Sequence, residues 1–303
     1  MKTDARGVMT RLCILLAVGA ILLPVSLFAT TTIGDYVVYG ENGVKIGGGS
    51  TVIGLVGARN PYAGAPINAG IYLNGLASSI GDARCGTNVD LANSASITGT
   101  LFVNNGAQIS LGSGSSIGAT NYGNPDLPVF PSATSFVAGT SNIVNLTAPL
   151  TVGSYSNITL GSGDTLTLTS GVYYLNSITL SGTATVNLNT TGGQIKVYMT
   201  GDANLDGRDA NVIGSNGIYW EVHGDWTQGG GTSWAGTLFV PFGTANIGSG
   251  SGVTDFTGQI WANTVNIEHG VTVMIPEPST ITLGLIGLAG LAGIIWRPRR
   301  LAG

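Results

Sequence analysis

Two stretches of the chain hold residue types at spacings that could do chemistry. Glu221, His223 and Asp225 alternate, so on an extended strand all three would face one side. An acid–histidine–acid row can bind a metal or move a proton. The flanking Trp220, Val222 and Trp226 would then face the other side as a core set, which gives the row a plainer reading as the polar outer face of a strand. Asp202-Ala203-Asn204-Leu205-Asp206-Gly207 opens like a calcium loop, with Asp202, Asn204 and Asp206 as alternating oxygen ligands and Gly207 for the turn. The twelfth loop position is Ile213, which supplies no carboxylate, so the competing reading is an acidic corner between strands. Apart from calcium, no cofactor is expected. Cys85 reads as a small buried apolar residue rather than a nucleophile. Thr165, Thr167, Thr169, Thr183 and Thr185 form Thr-x-Thr runs that could order water or bind ice or glycan; outward threonine is also favoured on strands generally. No Gly-rich phosphate loop, Ser-His-Asp order or metal-grade Cys/His spacing occurs, and the chain is expected not to be an enzyme.

Both ends read as addresses. Residues 1–29 carry Lys2, Arg6 and Arg11, then the apolar run Leu12 to Leu23, then Pro24 and the small Ala29. That is the layout of a secretory signal helix, too short to span a bilayer comfortably. At the other end, residues 274–303 hold Pro276-Glu277-Pro278, an apolar run from Ile281 to Trp296, and Arg297, Arg299 and Arg300. The two prolines keep the backbone extended and open to a protease. The apolar run, with Ile281, Leu283, Leu285, Ile286, Leu288, Leu291, Ile294, Ile295 and Trp296, would span roughly 24 Å as a transmembrane helix. The arginines would mark its cytoplasmic end and place the body outside the cytoplasm.

This three-part tail closely resembles the PEP-CTERM sorting signal. The resemblance covers residues 275–300 and implies Pro276, Glu277 and Pro278 as the motif read by an exosortase-type membrane transpeptidase. It also implies a cell-envelope protein of Gram-negative bacteria that make exopolysaccharide and biofilm.

The body, residues 30–273, reads as all-β, a parallel β-helix. Short alternating runs are separated by Gly, Asn, Ser and Thr, and no amphipathic helix is apparent. A phrase recurs at Val44–Gly54, Gln108–Gly118 and Ala245–Val253, and Gly-Thr-Leu-Phe-Val appears at 99–103 and 236–240. The period near 20 residues suits coils too small to bury their own core. Leu101, Val103, Ile109, Leu111, Ile117, Leu166, Leu168, Val186, Leu188, Ile260 and Ile267 are expected inside. Pro125, Pro128 and Pro131 mark a crossing loop over residues 121–132, because proline removes ladder donors. From Gly171 to Val273 the chain looks like the final coils of DUF3494 ice-binding-like β-helices and related polymer-forming or adhesin-like surface proteins. The phrases that carry this are Ile218–Val222, Gly231–Leu238 and Gly258–Ala262.

Charge narrows the partners. Charged residues are 9% of the chain, and residues 30–273 hold five basic against thirteen acidic side chains, a net of −8. Nucleic acid, which needs clustered Lys and Arg, is disfavoured. The expected role is an exported structural or adhesive protein of the envelope or extracellular matrix, with exopolysaccharide as a possible partner. The alternative is a module that binds ice or polysaccharide. A carbohydrate-active β-helix enzyme would need clustered carboxylates, and the acidic residues here are scattered.

Overall fold

The computed structural model describes residues 31–144, 146, 148–205, 210–214, 217–249, 252 and 254–275. The expected signal peptide and the tail from Pro276 lie outside the described residues. Within them, helix is confined to two three-residue 3₁₀ turns, Ile33–Asp35 and Pro66–Asn68, and every strand pairing is parallel. No described helix is long and apolar enough to cross a membrane.

The strands stack into a β-solenoid of about 11 turns. The order of the stack is not the order of the chain. Residues 143–275 build the lower rungs in sequence. The first coil, Tyr36–Gly40, Val44–Ile46 and Thr51–Ile53, then sits on the last one, with Val38 opposite Ile260, Val44 opposite Val265 and Val52 opposite Val273. From there the chain climbs to its top rung, Ser116–Tyr122. The described chain therefore enters and leaves at the middle of the stack, and residues 123–142 return from the top end to the bottom.

The alternation of each strand makes continuous columns. On the first face the inward column runs Tyr173, Val197, Trp220, Leu238, Ile260, Val38, Val56, Ala83 and Leu101, each opposite the next and all buried. One coil offers only a few such side chains, so burial comes from the rungs above and below. Three buried indoles, Trp220, Trp226 and Trp234, meet edge to face with centroids 5.4 to 5.6 Å apart inside the core. On the third face the ladder breaks there. Ala210–Ile213 pairs with Thr185–Asn189 below, and Ser233–Ser249 pairs with Thr254–Ile267 above, but the two do not pair with each other.

Most of the expected core is inside: Leu101, Val103, Leu166, Leu168, Val186, Leu188, Ile260 and Ile267 are all buried. Ile109, Leu111 and Ile117 differ. They continue the columns of Val89, Leu91 and Ile97, but they belong to the terminal rung, so nothing among the described residues covers them from above. Ile109 and Ile117 are half-buried and Leu111 is exposed.

Glycine is required where rungs approach at corners. Gly258 has φ +145°, and a Cβ there would collide with the carbonyl of Gly236 on the next rung. Gly106 also has positive φ, at +82°, but faces open space. Gly106→Ala should cost about 1–2 kcal/mol, the strain of the left-handed backbone alone. Gly258→Ala should cost several times that. Urea unfolding of the two variants side by side checks this, and equal losses would show that the corner is not tightly packed.

Candidate functional site

The first face carries an outward column of unusual composition. Tyr174, Tyr198, Glu221, Phe239, Trp261, Tyr39, Gly57, Arg84 and Phe102 stand one above another on successive rungs. Left in water, such a ladder would be a large apolar patch. The returning segment covers it. The Pro125 carbonyl accepts from Arg84 at 2.8 Å, and the Pro128 carbonyl accepts from Arg59 and from the Tyr39 hydroxyl. Phe130 packs between Tyr39 and Phe239, at 6.0 and 5.5 Å. Phe136 lies against Tyr174, Tyr198 and His223. Gly139 N donates to the Tyr155 carbonyl at 2.9 Å. The expected crossing loop is thus a strap that reaches beyond residue 132 to residue 139.

The strap is close to its full length. From the rung of Arg84 to that of Tyr155 is eight steps, roughly 38 Å at ~4.8 Å per step. Residues 125 to 139 reach roughly 43 Å in the polyproline conformation. Pro125, Pro128 and Pro131 favour that conformation, and a helix or tight turn would leave the strap too short.

Glu221 pins its centre. The side chain is fully buried, and its carboxylate accepts the Thr134 backbone N–H, the Thr134 hydroxyl at 2.8 Å, the Tyr219 hydroxyl at 3.0 Å and His223 Nε2 at 3.0 Å. The expected solvated acid–His–acid face is therefore not formed. Glu221 points outward, but into the strap rather than into water. Asp225 lies past the end of the strand Ile218–Val222, and its carboxylate accepts Thr244 N at 2.7 Å instead. Sequence reasoning found Glu221 and His223 but missed Thr134, Phe136 and Tyr219. Only the proline spacing hinted at what would lie over them.

Asp202 accepts Asp225 N at 2.8 Å and so caps a corner of the next coil. Asp82 does the same for Thr100 N at 2.6 Å. Asn204 stands on the outer surface of the second face, and Asp206 lies outside the described residues. Among the described residues no three His, Cys, Asp or Glu side chains converge as a metal site. Cys85 belongs to an inward column, and burial pushes its thiol up, away from the reactive thiolate. His269 is exposed.

The threonine runs do not make a deep array. Thr165 faces Thr185 with hydroxyls 3.0 Å apart, but Thr167 faces Asn187 and Thr169 faces Asn189. A longer polar column lies on the second face, where Thr159, Thr179, Asn204, Thr227, Asn246 and Asn266 follow on six successive rungs without a charge.

A cleft of about 920 Å³ opens where the third-face ladder breaks, between Ala210, Val212, Trp234 and Gly258. Ile275, the residue before Pro276, is among the residues that line it. The last described residue thus lies on the flank of the stack. The expected anchor residues Ile281 to Trp296, the expected basic end and Pro276, Glu277 and Pro278 lie outside the described residues.

Two measurements test the strap. Glu221→Ala leaves the Thr134 and Tyr219 donors without their buried acceptor and should cost about 3 kcal/mol. It should also expose residues 129–137 to limited proteolysis before the solenoid is cut. If the first cut falls elsewhere, Glu221 is not the pin. Burial pushes the Tyr39 hydroxyl up to about 12, despite the opposing pull of Arg59. A phenol whose folded value lies above its unfolded one stabilises the fold in full below about pH 10. That contribution is lost as pH rises through about 12. Tyr39→Phe should flatten the fall in stability between those limits, as followed by denaturant titration and tyrosinate absorbance.

Comparison with known proteins adds three findings. A family described as "Domain of unknown function (DUF7305)" matches residues 140–287, starting where the strap ends and the lower coils begin. Among solved structures, the Shewanella frigidimarina ice-binding protein_1 DUF3494 domain is similar over 81% of this chain and 95% of its own, at 14% identity and a TM-score of 0.31. No curated protein matches. Residues 275–300 match the PEP-CTERM protein-sorting motif, so the chain carries the sorting signal that its Pro-Glu-Pro tail resembled.

Proposed function

We propose that this is an exported envelope or matrix protein. Its tail docks it at a membrane and presents Pro276-Glu277-Pro278 to an exosortase-type transpeptidase, and its solenoid serves as a durable structural or adhesive body with no catalytic step of its own. The observation that carries the reading is the sorting motif beginning at Ile275, one residue after the last described strand, Val271–Met274. A parallel solenoid suits such a role because each rung is locked by two neighbours. Glu277→Ala should leave the chain full-length in the membrane fraction, whereas the wild type loses the residues after about Pro278. Intact mass of both, from the native host, decides it. If both stay full-length in the membrane, the tail is only an anchor and the processing step is wrong.

The polar column on the second face favours a second reading, a surface for polysaccharide. Hydroxyls and amides at regular spacing, uninterrupted by charge, suit a neutral chain of sugar hydroxyls. Thr179→Lys together with Asn246→Lys should weaken retention by purified exopolysaccharide at least tenfold in affinity electrophoresis. Unchanged retention would remove this column from consideration.

A further inference from the structure

We propose that the top of the solenoid is an interface for a second copy of this chain, pairing end to end about a two-fold axis; this does not rest on the sorting reading. The top rung is Ser116–Tyr122, joined by Ile109–Leu111. Each pairs only downward, with Ser96–Val103 and Asn88–Leu91. Their upper edge is a row of backbone donors and acceptors with no partner strand among the described residues. The strap does not close it, because the strap turns down the first face at Pro125. The first and last described residues do not close it either, since their coils lie at mid-stack. The core columns come to the surface there, with Leu111 53% and Tyr122 57% exposed.

Open strand edges are normally guarded by charge, proline or a cap. This one is not. From Leu91 to Asn124 the sequence holds no charged residue and no proline. The body carries a net negative charge, so two copies repel each other overall, and this neutral end brings no acidic side chains of its own into a contact. A row of main-chain groups flanked by apolar side chains is best satisfied by another strand. In a two-fold pairing the same patch serves both partners. The bottom end fits this role poorly, since its strands Ile143–Val144 and Gly153–Ser154 are two residues each and Pro149 lies beside them. A head-to-head dimer on the first face, with Ala119 to Tyr122 antiparallel to itself, follows in preference to a head-to-tail fibre.

The test uses the full-length chain in detergent, with Cys13→Ser so that buried Cys85 is the sole native thiol. Sedimentation should show two chains per particle. Leu111→Lys with Tyr122→Lys, both at exposed positions, should return it to one chain with an unchanged circular dichroism spectrum. Asn121→Cys with a short bismaleimide should give a covalent dimer and nothing larger. A single chain at every accessible concentration would overturn the proposal. So would a dimer that survives the double lysine variant, since another surface would then hold it. A ladder of higher species without Asn121→Cys crosslinking would replace the two-fold dimer with a head-to-tail fibre.

Discussion

The parallel ladder between Tyr36–Gly40 and Thr254–Ile267 joins residues about 220 positions apart, and both half-stacks depend on it. A coil of this solenoid cannot bury its own core. It needs a neighbour above and one below, and at mid-stack those neighbours come from the two ends of the described chain. Val38 is buried because Ile260 lies beneath it and Val56 above. Without this seam, Ile260 and Val38 would each face water, and each half would end in an open edge. The lower half can stack in sequence order, but the fold closes only when the first coil meets the last. That is a costly contact to form early, because closing so long a loop sacrifices chain entropy before any burial offsets it.

The strap answers the same topology. A chain that starts in the middle, climbs to the top and must then build the bottom has to travel back along the whole stack. Its route is set by what needs covering. The outward column of the first face is aromatic, with a buried carboxylate at its centre; the rings do not belong in water and the carboxylate does not belong in bare hydrocarbon. Phe130 and Phe136 cover the rings, and Thr134 satisfies Glu221. Gly57 shows how closely the column is packed, since any side chain there would strike the rings of Tyr36 and Tyr39. The strap therefore ties the upper and lower half-stacks together across the seam as well as linking them covalently.

The corners use short polar side chains. Asp202, Asp82 and Asn93 each accept a backbone N–H from the next coil, which satisfies an amide that the turn would otherwise leave without a partner. This places the scattered carboxylates of the sequence in an architectural role.

The sequence by itself determined the local physics. Alternating apolar residues, turn residues at a period near 20, low charge and the Pro-Glu-Pro tail specified short strands, a repeating coil, the inward residues and the sorting motif. All of these are properties of neighbouring residues, so they can be read along the chain. Three things were decided only by tertiary structure. Leu111 has the pattern of a core residue, yet it is exposed, because burial depends on whether another rung follows. Glu221 has the pattern of a surface acid, yet it is fully buried, because a segment 87 positions away lies over it. The middle of the stack is made from the two ends of the described chain, since parallel pairing is set by which columns match in space and carries no mark of sequence order.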